Sequence, residues 1–90
     1  QHLYEKALYE LGIVYADSGR IDEALDLLKR VVLEHPDGRY PGRALQMQGD
    51  LLAAVGRGTA ARGAWEQLLA QYPDYLFIDD VRDNLRALPN

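Results

Sequence analysis

The chain repeats itself at a shift of 37 residues, and this feature limits its fold more than any other. Nine positions are identical between the first copy and the second, with no gap: Ala7 and Ala44, Leu8 and Leu45, Gly12 and Gly49, Ala16 and Ala53, Gly19 and Gly56, Arg20 and Arg57, Ala24 and Ala61, Pro36 and Pro73, and Asp37 and Asp74. Periods of this length are typical of supersecondary units that stack on one another to bury a shared core. We therefore expect a repeat architecture in which each copy is one such unit.

The apolar residues recur at the 3.6-residue spacing of α-helices, and Leu and Ala, both strong helix formers, dominate them. The pattern predicts five helices, at about residues 3–17, 22–35, 40–55, 59–72 and 78–88, with Thr59 as the N-cap of the fourth. Gly19 and Gly56 each follow a helix, where a left-handed turn favours glycine. The fold class predicted is all-α.

The first predicted helix carries one broad apolar face, made of Tyr4, Ala7, Leu8, Leu11, Val14 and Tyr15. We expect this face to be turned toward the core. Part of it, the edge made by Tyr4, Ala7 and Leu11, has no partner in the rest of the sequence. Stacking on a second copy of the chain would bury that edge.

A third copy of the repeat begins and then stops. Val81 and Leu88 keep apolar character at their shifted positions, but Arg82 falls where Leu45 would be buried. Pro89 ends the helix because proline has no amide to donate. We expect one domain over residues 1–90, with repeats at about 3–38 and 40–75 and a capping helix at about 78–88.

These residues resemble the tetratricopeptide repeat, whose signature is an apolar residue, Leu-Gly and an aromatic on one helix, then a small residue, a large apolar residue and Pro on the next. The copies read Leu8, Leu11-Gly12, Tyr15, Ala24, Leu28, Pro36 and then Leu45, Gln48-Gly49, Leu52, Ala61, Trp65, Pro73. The resemblance implies a right-handed α–α superhelix in which the mid-helix glycines let paired helices cross closely. Gln48 departs from the signature, and we expect looser packing in the second copy.

The 37-residue period and the motif Tyr72-Pro73-Asp74 resemble the longer repeats of bacterial envelope proteins, such as the coordinator of the Tol–Pal system and the lipoprotein of the outer-membrane β-barrel assembly machine. This resemblance favours the periplasm or cell envelope over the cytoplasm. The chain begins with Gln1 rather than Met, so we expect a piece of a longer protein, for which a removed signal or anchor stays open.

The resemblance also implies a concave groove lined by the first helix of each repeat. The groove residues expected are Lys6, Tyr9, Glu10, Ile13 and Asp17 on the first helix, Arg43, Gln46, Met47 and Asp50 on the third, and Asp83 on the last. Tyr9 and Ile13 are large residues on a face that the core does not need, which favours a role as anchors for a peptide or helix. The alternative is that a preceding repeat, outside the sequence given, covers them, or that they are ordinary exposed apolar residues.

Several other functions find no support in the residues. The fourteen acids outnumber the ten bases, giving a net charge of −4 with no basic cluster, so nucleic acid and anionic membranes are not expected partners. There is no cysteine, and His2 and His35 lack the spacing of metal ligands. The only serine, Ser18, has no base near it in sequence. We expect no cofactor, no metal and no catalysis.

We therefore interpret the chain as a non-catalytic interaction or scaffold module that binds a peptide or helix of a partner in a bacterial multi-protein assembly. Two alternatives stay open. The chain is a homo-oligomerisation module that uses the uncovered edge of its first helix, or it is an appendage of a larger enzyme or regulator. Many unrelated functions use such folds, so the partner must be found by experiment.

Overall fold

The computed structural model describes residues 2–89, with side chains from Tyr4 to Pro89. Over these residues the chain forms five helices and no strand: α1 (His2–Asp17), α2 (Ile21–Glu34), α3 (Pro41–Ala54), α4 (Gly58–Gln71) and α5 (Ile78–Ala87). The hairpin of α1 and α2 packs through α2 on the hairpin of α3 and α4, and α5 packs on α4. The prediction of an all-α fold with two helical hairpins and a closing helix is confirmed.

Both hairpin turns end their first helix in the same way. Gly19 and Gly56 have positive φ angles of 79° and 81°, where an L side chain is strained. The amides that follow them bond back to the preceding helix, Arg20 N to Tyr15 O at 2.9 Å and Arg57 N to Leu52 O at 2.8 Å. This is the Schellman arrangement, which satisfies carbonyls that a helix end leaves free. The glycine turns predicted from the sequence are confirmed.

The inward face of α1 differs in part from the predicted one. Its buried residues are Glu5, Leu8, Tyr9 and Gly12, whereas Val14 of the predicted face is exposed. The edge made by Tyr4, Ala7 and Leu11 is exposed, as expected from the sequence. The physical reason for the difference is that α1 must present Gly12 to α2 and Glu5 to the segment before α3, which turns Val14 toward solvent. The prediction for Thr59 was also wrong, because α4 begins at Gly58 with Arg57 at its cap and no side-chain capping bond.

The crossing of α3 and α4 depends on a glycine. A Cβ atom built at Gly49 would lie 2.1 Å from Nε1 and 2.4 Å from Cδ1 of Trp65, far inside normal contact. Trp65 is only 3% exposed, and its ring lies directly against the α3 backbone at this glycine. The equivalent crossing of α1 and α2 is less tight, with Leu28 Cδ2 at 3.0 Å from a Cβ built at Gly12, so the expectation of looser packing in the second copy was wrong at this crossing. Close helix approach at the mid-helix glycines, expected from the sequence, is confirmed.

A buried carboxylate joins the two hairpins. Glu5 of α1 is 1% exposed and accepts hydrogen bonds from the backbone amides of Arg39 (3.0 Å) and Tyr40 (2.8 Å). These amides come directly before α3, whose first turn carries unpaired N–H groups and a partial positive charge. Gly38 makes room for the carboxylate, because a Cβ at that position would lie 2.3 Å from Glu5 Oε2. Glu5 thus fixes the position at which α3 starts relative to α1.

Candidate functional site

A cavity of about 190 Å³ lies where α1, α3 and the segment between α4 and α5 meet. Its lining consists of one residue of α1, four of α3 and two aromatic residues of the segment that follows α4: Tyr9, Arg43, Gln46, Met47, Asp50, Tyr75 and Phe77. Five of these seven are among the groove residues expected from the sequence. The cavity therefore combines aromatic surface with one cationic and one anionic side chain.

Tyr9 forms the wall of the cavity that α1 contributes. It is 7% exposed, and its ring stacks on that of Tyr40, with centroids 4.8 Å apart and planes 18° apart. The expectation that Tyr9 occupies a face that the core does not need was wrong, because Tyr40 reaches across from the segment before α3 and buries it. Ile13 is half-buried and also packs against the core. Neither residue is a freely exposed anchor, although Tyr9 still borders the cavity.

Arg43 is the cation of the site. Its side chain is exposed, and it forms no ion pair with another residue of the described part of the chain. Interaction with the Tyr9 hydroxyl is the largest of the effects that raise the pKa of Arg43, so the guanidinium stays charged. A guanidinium whose donors are not taken by a carboxylate is free to bind an acidic group of another molecule.

Two residues of the site were not expected from the sequence. Tyr75 donates a hydrogen bond to Gln46 Oε1, and its ring makes an edge-to-face contact with Phe77 at 5.9 Å. Burial raises the pKa of Tyr75, so its hydroxyl stays a donor. At the 37-residue shift Tyr75 aligns with Gly38, which gives no signal of a binding role. Gly42 admits the ring, because a Cβ there would lie 2.7 Å from Tyr75 Cδ1.

Asp50 is the anion of the site, two helical turns beyond Arg43. It too forms no ion pair within the described residues. Partial burial raises the pKa of Asp50 above the ordinary value for an aspartate. The nearby indole Nε1–H of Trp65 has a smaller, opposite effect and lowers the pKa of Asp50. This buried N–H makes no hydrogen bond of normal geometry. Asp50 is therefore a carboxylate that the folded protein holds at a cost to its own stability, which is typical of binding residues.

The raised pKa of Asp50 predicts that the free energy of unfolding depends on pH. Between the ordinary pKa of an aspartate and the raised pKa, the folded protein binds more protons than the unfolded chain, so the free energy of unfolding falls as pH rises. The variant Asp50→Asn removes this effect. We expect it to be more stable than the parent near neutral pH and equally stable near pH 3, below the unfolded pKa. Urea unfolding at both pH values measures the difference, with the exposed Asp74→Asn as the control. Equal stability of parent and Asp50→Asn at neutral pH would contradict the prediction.

The other expected groove residues lie away from this cavity. Lys6, Glu10 and Asp17 are exposed along α1, and none of them lines it. Asp83 of α5 forms an ion pair with Arg86 of the same helix. The structure thus brings together five of the ten expected residues, and the remaining five, Ile13 among them, lie outside the lining. A binding role for any of the ten stays a prediction.

Neither a cluster of metal ligands nor a membrane-spanning helix is present in the part of the chain that the structure describes. No group of three or more His, Asp or Glu side chains between Tyr4 and Pro89 stands close enough to hold a metal ion, and the side chain of His2 lies outside that range. Nor does any helix between residues 2 and 89 have the length and apolar character needed to cross a bilayer.

Comparison with families of known proteins gives two matches in tandem. The model described as tetratricopeptide repeat matches residues 6–38 and again residues 43–75, most of the chain. The chain belongs to the tetratricopeptide repeat family. Such repeats generally mediate protein–protein interaction. Comparison with curated proteins and with solved structures gives no match. In this tetratricopeptide repeat protein the cavity is formed mainly by α3, the first helix of the second repeat, with one residue from α1 and two from the segment that follows α4.

Proposed function

We propose that the chain is a non-catalytic binding module whose cavity between α1, α3 and the Tyr75–Phe77 segment holds a peptide or helix of a partner protein. The observation that carries this proposal is the presence of two opposite charges, Arg43 and Asp50, in an aromatic-lined cavity where neither is neutralised by an ion pair within the described residues. Charged groups without partners weaken a free protein or leave it unchanged, and they gain most when a complementary molecule binds.

The distance between the two charges indicates which partner segment the cavity would bind. Arg43 and Asp50 are seven residues apart on α3, which corresponds to about 10 Å along the helix axis. Met47 lies between them and is half-buried, so the middle of the site is apolar. A complementary segment carries an acidic group for Arg43, an apolar side chain for Met47 and a basic or amide group for Asp50. The polar rim around apolar contacts is typical of protein-binding sites.

Affinity capture with two matched variants tests this proposal. The first reverses both charges of the cavity, Arg43→Glu with Asp50→Lys, and the second reverses Arg62 and Glu66 on α4, outside the cavity, in the same way. Both keep the net charge of −4. We expect the parent and the α4 variant to capture the same partner. The cavity variant is expected to bind that partner at least about tenfold more weakly, because hydrogen bonds to charged groups contribute about 1.5–3 kcal/mol each. Equal capture by both variants would exclude this cavity as the binding site.

Homo-association is a second candidate, favoured by the exposed face of α1. Tyr4, Leu11 and Val14 are 50%, 44% and 56% exposed. Their equivalents at the 37-residue shift, which are Pro41, Gln48 and Leu51 of α3, are buried or half-buried. The exposed face of α1 is therefore equivalent to a face of α3 that is covered in the second repeat.

Sedimentation equilibrium of the parent and of Leu11→Glu tests this second candidate. If α1 mediates self-association, the parent forms a dimer at high micromolar concentration and the variant stays a monomer, because a buried unpaired carboxylate opposes association. A parent that is monomeric throughout this range would exclude the candidate. The experiment does not depend on the cavity, since Leu11 is not part of its lining.

A place in a bacterial envelope assembly is the finer part of the proposal. It is supported by the 37-residue period and by the motif Tyr72-Pro73-Asp74. In the structure this motif has a local role, because the Tyr72 hydroxyl donates to the Pro36 carbonyl at 2.7 Å and so ties the ends of the two repeats together. Affinity capture with the charge-reversed variants tests the cellular setting, because it identifies the partner.

A further inference from the structure

The three odd-numbered helices carry equivalent rows of residues. The 37-residue shift aligns four residues of α1 with four of α3 and with four of α5 and its C-terminal end: Tyr4, Ala7, Leu11 and Val14, then Pro41, Ala44, Gln48 and Leu51, then Ile78, Val81, Leu85 and Leu88. Residues spaced three or four apart lie on one face of a helix. We call this row the stacking face of each helix.

Two of the three stacking faces are covered within the chain. α3 packs on α2, and the four residues of its stacking face are buried or half-buried. α5 packs on α4; in its stacking face Val81 is fully buried and the other three residues pack against the core. On α1, by contrast, Tyr4, Leu11 and Val14 are exposed. The stacking face of α1 therefore resembles two faces that pack on the second helix of a hairpin.

α5 covers α4 less completely than α3 covers α2. Leu25 and Val32 of α2 are 5% and 8% exposed, and they border cavities that Gln48 of α3 also lines. At the 37-residue shift they align with Arg62 and Leu69 of α4, which are only half-buried. α5 is ten residues long, whereas α3 has fourteen. The face of α4 that corresponds to the α3-binding face of α2 is therefore left partly open.

The packing of α5 on α4 depends on apolar contacts. Its side chains make two hydrogen bonds within the described residues, and both lie inside the helix: Arg82 with Asp79 and Arg86 with Asp83. Val81 is its one buried residue in that part of the chain. A helix of ten residues is marginal on its own in water, and elements with few buried apolar contacts open most readily. We therefore expect α5 to leave α4 more easily than any hairpin comes apart.

We propose that α1 of a second copy of the chain replaces α5 on α4, and that α5 is a cap which closes this surface in the free protein. The stacking presupposes self-association, the second candidate function, and adds the surface that receives α1. Because α1 and α3 each begin a helical hairpin, hairpin α1–α2 of one copy can pack on α4 of another as hairpin α3–α4 packs on α2. The sixteen residues of α1 extend over about 24 Å and span the whole of the fourteen-residue α4, which α5 does not.

Nuclear magnetic resonance on isotope-labelled Leu11→Glu tests the proposal. The variant carries a disabled stacking face on α1 but an unchanged α4 and α5, and we expect it to fold because Leu11 is 44% exposed. When unlabelled parent is added, its α1 is expected to displace α5 of the labelled chain. The Val81 and Leu85 amide signals then shift in a saturable way and exchange faster with solvent, while the α1 signals of the labelled chain stay unchanged. Unlabelled Leu11→Glu is the control titrant and is expected to shift neither signal.

A second variant measures the competition between α5 and α1. Leu85→Glu weakens the packing of α5, and Ala87→Glu adds the same charge at an exposed position of that helix. In sedimentation equilibrium we expect Leu85→Glu to self-associate at least about tenfold more tightly than the parent, because a larger fraction of the chains has α4 open. Ala87→Glu is expected to match the parent. Combining Leu11→Glu with Leu85→Glu is expected to abolish the gain.

Three results would overturn the proposal: Val81 and Leu85 signals that the parent leaves unshifted, shifts confined to α1 of the labelled chain, or equal self-association of Leu85→Glu and the parent. A parent that self-associates with its α5 signals unshifted would overturn this proposal alone and leave the second candidate function standing. If the parent and Leu85→Glu were both monomeric, both would be excluded, and the α1 face would be left to a different protein. Loss of binding at the Tyr9–Asp50 cavity would not affect the proposal, because no residue of that lining belongs to a stacking face.

Discussion

The variant Gly49→Ala is expected to lose about 3 kcal/mol of unfolding free energy. The new Cβ would lie 2.1 Å, 2.4 Å and 2.5 Å from Nε1, Cδ1 and Cε2 of Trp65. The ring is 3% exposed and is enclosed by the core, so it cannot move away without separating α3 from α4. The higher helix propensity of alanine offsets about 1 kcal/mol at most. Urea unfolding, followed by Trp65 fluorescence and circular dichroism, measures the loss.

Gly63→Ala is the matched control for this prediction. Gly63 also lies inside a helix, but a Cβ built there meets no atom within 4 Å. In Gly63→Ala only the helix propensity changes, and we expect the free energy of unfolding to rise by up to about 1 kcal/mol. Opposite signs for the two variants would establish that Gly49 is required by the approach of Trp65 and not by backbone flexibility. A stabilised Gly49→Ala would show that α3 and α4 do not cross as described.

The variant Glu5→Gln is expected to lose about 2–3 kcal/mol of unfolding free energy. The change keeps the size of the side chain but leaves a single acceptor oxygen for the amides of Arg39 and Tyr40, which Glu5 now binds through both oxygens. The glutamine NH2 would then face one of these N–H groups, and a buried donor would lose its partner. Because these bonds set the start of α3, we also expect faster hydrogen exchange at the Arg39 and Tyr40 amides.

Glu66→Gln provides the control, since Glu66 is exposed on α4 and belongs to no ion pair within the described residues. Substitutions at such surface positions usually change the free energy of unfolding by no more than about 0.5 kcal/mol. If the two variants were equally stable, the Glu5 carboxylate would not hold the segment before α3. A loss in Glu5→Gln without faster exchange at the two amides would place the role of Glu5 elsewhere.

The repeat could be predicted from the sequence because its determinants are local. Gly19 and Gly56 follow helices and adopt positive φ, and Gly49 lies where Trp65 packs, so each residue type reports its own backbone requirement. The inward face of α1 could not be predicted, because it depends on residues distant in sequence. Glu5 is polar and would be assigned to the surface. Its carboxylate is nevertheless buried, and it accepts hydrogen bonds from the amides of Arg39 and Tyr40, which are 34 and 35 residues away. Hydrophobic periodicity contains no information about such bonds.

The candidate site was predicted in part for a similar reason. Its four α3 residues, from Arg43 to Asp50, follow helical spacing, so their common face is evident from the sequence. Tyr75 and Phe77 come from the segment between α4 and α5, where no periodicity applies. The burial of Tyr9 depends on its stacking with Tyr40, a contact between two repeats that the repeat pattern does not encode. Regular elements thus predict their own faces, and irregular segments need the structure.

The cavity lined by Tyr9, Arg43, Asp50 and Tyr75 is proposed to bind a protein partner, and chemical shifts test this role most directly. Amide and side-chain shifts of the isotope-labelled chain are recorded while the captured partner is added. We predict that the largest changes fall on the side chains of Arg43 and Asp50 and on the Tyr75 ring, and that the Tyr75 ring of the charge-reversed variant shifts only at partner concentrations at least about tenfold higher. Changes confined to the exposed face of α1, with these residues unmoved, would contradict the proposed role and would favour self-association or a partner on that face.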